Sequence, residues 1–394
     1  MAKSEWKPRR LDELGFLGRG KSRHRPRNDA SLYGGPYPFI QTADVMAADP
    51  YITSHSQTYS EFGFQQSKMW PPETLCMTIA GANTAKTAIL KFEACFPDSM
   101  VGFIPDKSKS DIVFVKYALD LMRDRFLSVS RGATQDNLGL DKILSFPILA
   151  PDVDAQRRIG AILSAYDELM ENSQRRIRLL EAMARALYRE WFVHFRFPGH
   201  EKHPRVASPL GDIPQGWEVA LLAALVDFAK GRKPVETRPE PLPGDVKLLL
   251  IDSLHGGEAV FTSPAKLVLA ETRDTIMVMD GASSCEVTIG SSGAVGSTLG
   301  RFRTTRPDRF SPHALYRFLE AKAEEFKSKN IGAAIPHANK DYILTQPVAL
   351  PPKAVTSGFH AQLEPIQCTI ETLKLQIQNL RRTRDLLLPR LLSG

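Results

Sequence analysis

The chain has 394 residues, 43% of them hydrophobic and 24% charged, and a formal net charge of +7. That length exceeds one ordinary core, so two or more globular domains are expected. The basic balance points to a polyanionic partner without naming it, and the composition excludes a disordered or collagen-like chain.

The N-terminus "MAKSEWKPRRLDELG" has no apolar signal-peptide core, and no run approaches the ~18 apolar residues of a membrane span. No membrane association and a cytoplasmic location are therefore expected. Cys76, Cys95, Cys285 and Cys368 are far apart and fit no metal spacing, so reduced thiols are expected. The histidines do not cluster at metal-ligand spacing, and no serine, histidine and carboxylate set stands out.

The first region, 1–152, opens with Trp6, Leu11 and Leu14 and then a basic stretch, "GRGKSRHRPR". "GFLGRGKS" (Gly15 to Ser22) is a literal match to a phosphate-binding loop. Such a loop needs a buried strand before it and a helix after it. "SEWKPRRLDEL" is no buried strand, and Pro26 with Gly34-Gly35-Pro36 opposes a helix. An NTP-dependent enzyme built on this loop is thus the weaker alternative. Arg19, Lys21, Arg23 and Arg25 are instead candidate contacts to nucleic-acid phosphates. "ADPY" lacks one proline of the amino-methyltransferase motif and reads as a turn. Short strands ("YPFIQTADV", "ETLCMTIAG") and a helix ("DIVFVKYALDLMRDRF") make the region α+β.

The segment Gly132–Pro151, "GATQDNLGLDKILSFPILAP", returns 200 residues later as Gly332–Pro351, "GAAIPHANKDYILTQPVALP", with seven identities and no gap. Its polar members Gln135, Asn137, His337, Asn339 and Lys340, with the neighbouring Arg131, are candidate DNA contacts.

A heptad stripe follows each copy. In the first helix, 153–197, it runs from Ile159 through Leu163, Tyr166 and Met170 to Trp191; in 356–394 it runs from Phe359 through Leu363 and Ile366 to Leu391. Asp152 and Asp154 signal the first start and Pro198-Gly199 its end. Pro365 and Pro389 are candidate kinks in the second. Two equally long stripes in phase are expected to pair. Antiparallel pairing sets Ala184 against Ile366 and Ser173 against Ile377, small against large, and Tyr166 against Arg384. Trp191, Phe192, Phe195 and Phe197 exceed what a two-helix seam needs. They form a candidate partner-docking surface or its underside.

A proline-rich linker leads into 198–355, the second globular region. Trp217, Leu222 and Leu225 repeat the first opening, and "KGRKPVETR" repeats its glycine-basic stretch. Arg232 and Lys233 are the corresponding DNA candidates.

Two similar regions, each followed by a heptad helix, resemble the DNA-specificity subunit of type I restriction–modification systems. "FPILAPDVDAQRRIGAILSAYDELMENSQRRIRLLEAMARALYREWFVHF" is similar to that family's central conserved region. "IPQGWEVALLAALVDFAKGRKP" resembles the opening of its second target-recognition domain, and "IETLKLQIQNLRRTRDLLLPRLLSG" its C-terminal helix. The resemblance implies an α+β fold with two target-recognition domains, 1–152 and 198–355. They are separated by two long helices that form an antiparallel coiled coil, giving a pseudo-two-fold repeat. It implies a non-catalytic subunit that reads a bipartite site on double-stranded DNA. Cofactors would lie on partner subunits: S-adenosylmethionine on the methyltransferase, ATP on the translocating endonuclease. A coiled-coil adaptor that binds no DNA is the remaining alternative.

Overall fold

The computed structural model describes residues 5–81, 83–130, 138–332 and 335–393. The chain divides into two compact units, residues 1–173 with 376–394 and residues 174–375.

In the first unit, strands Gly15–Arg19, Met100–Pro105, Leu75–Thr78, Thr87–Leu90 and Tyr51–Ile52 form a sheet in that order. A second sheet has the order Gln57–Tyr59, Tyr33–Phe39, Ala94–Cys95, Met69–Trp70. Leu75–Thr78 is buried along its whole length, as a central strand covered on both faces must be. Asp111 starts the covering helix Ile112–Leu121 by accepting from the Phe114 N–H at 2.9 Å.

The second unit repeats this plan. Val226–Lys230, Leu299–Thr304, Thr275–Val278 and Val287–Thr288 match the first four strands of the larger sheet. Val260–Thr262, Val246–Leu249, Gly293–Val295 and Leu269–Ala270 match the second sheet, including its single parallel pair. The covering helix Pro312–Ala321 is capped by Ser311 and breaks at Lys322, as the first breaks at Met122.

The long helices are Val153–Tyr188 and Lys353–Leu392. Asp152 opens the first by accepting from Ala155 N–H at 2.9 Å. Each unit holds the start of one helix and the end of the other, so the helices run antiparallel. In the first unit Leu163 shares a core with Leu388, Leu392 and Phe114. In the second, Ala184 and Tyr188 share one with Phe359, Leu363 and Trp217. Burying each leucine or phenylalanine among them contributes about 1.5–3 kcal/mol.

Three details differ from the sequence reading. The first α-helix ends at Tyr188, before Pro198-Gly199, and a wider π turn over Arg189–Val193 follows. That turn aims Phe192 at Phe359, 4.7 Å between ring centroids, and at Trp217, 5.8 Å. Pro365 and Pro389 both lie inside the second helix, which continues through them to Leu392. Arg384 meets Asp167 rather than Tyr166, at 2.9 Å, and donates to the Tyr117 hydroxyl at 3.1 Å. A buried guanidinium needs an anion more than a ring face, and Asp167 supplies it.

Tyr117 donates to Asp167, 2.7 and 2.8 Å from its two carboxylate oxygens. Burial and the Asp167 carboxylate push the phenol's pKa up, so it stays a donor. Burial also raises the Asp167 carboxyl against the pull of Tyr117 and Arg384. Asp49, from "ADPY", accepts from Arg381 at 3.1 Å, which fits a structural turn.

Candidate nucleic-acid interface

In the first unit the strand Gly15–Arg19 runs into Gly20, whose N–H donates to Met100 O at 2.9 Å. A Cβ on Gly20 would stand 2.2 Å from Pro97 O, so only glycine lets the loop lie this close. No helix follows: the next helical residues are Ala30–Leu32, a single 3-10 turn. The phosphate-loop reading of Gly15–Ser22 therefore fails, because the loop does not run into a helix N-terminus.

The same device recurs in the second unit. Strand Val226–Lys230 runs into Gly231, whose N–H donates to Leu299 O at 2.9 Å. A Cβ there would stand 2.1 Å from Gly296 O. Thus both units lead from an outer strand, through a glycine pressed on its neighbour, into a basic loop.

The predicted cations divide between tethered and free. Arg19 donates to Asp98 O at 2.5 Å. Arg25 donates to Ser22 O and His24 O, both at 2.8 Å, and lies 3.5 Å from the Asp98 carboxylate that also holds Arg27. Arg23 is exposed, with its backbone N–H on Gln66 Oε1, and Lys21 is half-buried. Arg232 is exposed and donates to Lys266 O at 3.2 Å; Lys233 is exposed beside it.

His337 and Lys230 converge on Asp280, at 2.7 and 3.1 Å. Partial burial works against the Asp280 charge, but the bonds from His337 and Lys230 outweigh it and hold the carboxyl below its usual range. Lys340 lies over the Phe228 ring, 5.6 Å from its centroid, on the strand that ends at Lys230. Asn339 caps helix Lys340–Leu344 by accepting from Tyr342 N–H at 3.1 Å, so its carbonyl oxygen is committed to the fold. Arg131, Gln135 and Asn137 lie outside the described residues.

Sequence reasoning missed Lys230, Asp280 and an aromatic–cation patch. Lys68 Nζ stands 3.9 Å from the Trp70 ring centroid and 4.7 Å from that of Phe16, which is 53% exposed. Nothing in the spacing of Phe16 and Lys68 announces the pair. Trp191, Phe192 and Phe197 are buried on Trp217 and Phe359, and Phe195 is partly buried against the same cluster. Their place is beneath a surface rather than on it. His313 and His360 do gather, with Glu364, although His313 is remote from the other two in sequence.

Residues 3–182 match the family model described as the type I restriction modification DNA specificity domain. The chain is thus similar to the type I restriction–modification specificity subunits. It is 21% identical to the MjaIX specificity subunit of Methanocaldococcus jannaschii, over 99% of this chain and 93% of that protein. It is 22% identical to the HindI specificity subunit of Haemophilus influenzae, over 68% of this chain and 73% of that one. Its fold is similar to the crystal structure of a type I S subunit from M. genitalium, with a TM-score of 0.61 at 15% identity, covering 100% and 97% of the two chains. A specificity subunit of this family is itself non-catalytic and supplies DNA specificity to a restriction enzyme. Among the described residues, no helix is long and apolar enough to cross a membrane.

Proposed function

We propose that each unit of this specificity subunit reads one half of a bipartite duplex target, through the face that carries its post-glycine basic loop. One observation carries this: the same strand, glycine and basic loop occur once in each unit. In the first unit Lys21 and Arg23 meet phosphates, and Phe16 with Lys68 broadens the face. In the second, Lys230, Arg232, Lys233 and Lys340 do the same. Phosphate contacts fix register, and base edges in the grooves then give specificity.

The long helices serve as the platform for methyltransferase and endonuclease subunits, which bring S-adenosylmethionine and ATP. The complex works in the cytoplasm, where its free thiols stay reduced.

The test is salt-dependent duplex binding by the assembled complex. Each phosphate contact contributes about 0.9 to the slope of log affinity against log salt. Arg232→Ala with Lys233→Ala should lower that slope by about 2, leave the methylated sequence unchanged and weaken binding at every site. An unchanged slope would remove this loop from the interface and the reading with it.

A further inference from the structure

His360, Glu364 and Cys368 follow one another at four-residue intervals on the second long helix, so they stand on one face. His313, in the first turn of helix Pro312–Ala321, faces them. It is 1% exposed, and its Nε2 lies 2.6 Å from Glu364 Oε2. One ligand atom each from His313, His360 and Glu364 falls within 4.8 Å of the others.

Two further features separate this cluster from an ordinary ion pair. His360 Nδ1 is buried without a hydrogen-bond partner, a cost that coordination at this ring would help offset. The His313 and His360 rings lie 5.3 Å apart between centroids. Two imidazoles on one tetrahedral ion, with bonds of about 2.0–2.1 Å, hold their centroids about 5.2 Å apart.

The surroundings complete a coordination sphere. Arg273 donates to Glu364 Oε1 at 2.6 Å and to Glu371 at 2.7 Å, which leaves Glu364 Oε2 as the ligand oxygen and fixes its direction. Cys368 is exposed, with Sγ 3.4 Å from Glu364 Oε1, one helical turn beyond that carboxylate. Two imidazoles, a carboxylate and a thiolate neutralise a divalent ion and suit zinc rather than magnesium or calcium.

We propose that His313, His360 and Glu364, completed by Cys368, form a structural zinc site that fastens the second long helix to the recognition domain of its own unit. The ion takes no part in a reaction. Through His313 it ties the covering helix to the long helix, the task that Tyr117, Asp167 and Arg384 perform in the first unit.

The test uses the full chain without a histidine tag, stripped by chelator and titrated with zinc against a chromophoric competitor. One zinc per chain is expected, with a melting temperature that rises with zinc. Cobalt in its place should give tetrahedral d–d bands and a sulfur-to-cobalt charge-transfer band. His360→Gln should abolish both, while Cys368→Ser should remove only the sulfur band. Because Cys368 is exposed, that variant remains informative even if His360→Gln fails to fold. No zinc retained against the competitor, or zinc held equally by His360→Gln and Glu364→Gln, would overturn the proposal. A sulfur band that survives Cys368→Ser would remove that residue from the set.

Discussion

The buried triad of Tyr117, Asp167 and Arg384 allows a sharp prediction. The Asp167 side chain is fully buried and that of Arg384 is 8% exposed, so removing either strands the other in a poor solvent. The two losses should nevertheless be unequal. Asp167→Ala leaves a guanidinium that cannot deprotonate, with only Asp385 at 3.0 Å and Asp49 at 3.8 Å among the described residues to compensate, both at the surface. That change should cost about 3–5 kcal/mol. Arg384→Met leaves a carboxyl that keeps the Tyr117 bond and that burial already pushes toward protonation, so its cost should be nearer about 1.5–3 kcal/mol. A carboxyl raised in the folded state contributes stability that is fully present below its unfolded value of 3.8 and is lost as pH rises through the folded one. The Arg384→Met penalty should therefore shrink as the medium is acidified. The double variant Asp167→Leu with Arg384→Met should cost less than Asp167→Ala alone, because no charge remains stranded. Hydrogen-exchange protection of residues 112–121 isolates this unit from the other, which a whole-chain melt cannot do. If the double variant costs as much as the two singles together, the triad is not a coupled unit and the reasoning fails.

Gly20→Ala or Gly231→Ala should displace the basic loop of its own unit, since a Cβ meets Pro97 O or Gly296 O; about 1–3 kcal/mol of local stability and a weakened duplex affinity are expected, measured by hydrogen exchange and DNA binding. Bonds from Ser108 and Lys109 hold the Asp106 carboxyl down to about 2, against a usual 3.8, so its contribution is complete above 3.8 and lost as pH falls toward 2; Asp106→Asn should flatten the acid limb of stability in that window. Inserting one heptad in both long helices keeps the seam in phase and lengthens each by about 10 Å. The gap between methylated half-sites should then grow by about 3 base pairs, and an unchanged gap in a folded variant would show that the helices do not set it.

The stretches from Asp111 to Tyr188 and from Ser311 to the second helix were the legible parts, because helix caps and heptads leave a mark on local sequence. Their constant offset of 200 reappears in the caps Asp111 and Ser311, in the breaks at Met122 and Lys322, and in helices Leu140–Leu144 and Lys340–Leu344. The sheets were harder to read. Their strands are short, and central ones such as Leu75–Thr78, Thr87–Leu90 and Thr275–Val278 are buried on both faces, so no alternation marks them. The larger sheet of the first unit also has an extra strand at Tyr51–Ile52. The candidate interface was half legible. Its basic loops stand out by composition, but which cations are tethered depends on Asp98 and Asp280, remote in sequence from them. Asn339 carries a second task that its place in a repeated polar segment does not announce: its side chain caps a helix.

The repeat has a mechanical meaning that one experiment can expose. Lys7–Arg9 pairs antiparallel with Ile148–Ala150, and Glu218–Leu221 pairs antiparallel with Pro347–Leu350. Each globular region thus begins and ends on one two-stranded clasp, and a long helix starts three residues after it. Trp6 packs on Phe114, 6.0 Å between centroids, and Trp217 on Phe192, so an aromatic seals each clasp at its opening. A domain closed in this way can vary inside without altering how the chain enters the helix. Exchanging residues 5–150 for the matching region of a relative carries both clasp strands together. It should change one methylated half-site and leave the other half and the gap as they were. Exchanging residues 5–100 splits the clasp between two parents. Three residue pairs at about 1 kcal/mol net per ladder bond put about 3 kcal/mol at risk, before any mismatch in the shared core. The split chimaera should therefore melt lower and methylate less than the clasp-complete one. Equal stability of the two chimaeras would show that the clasp does not close the domain, and a change in both half-sites would show that the two units do not read separately.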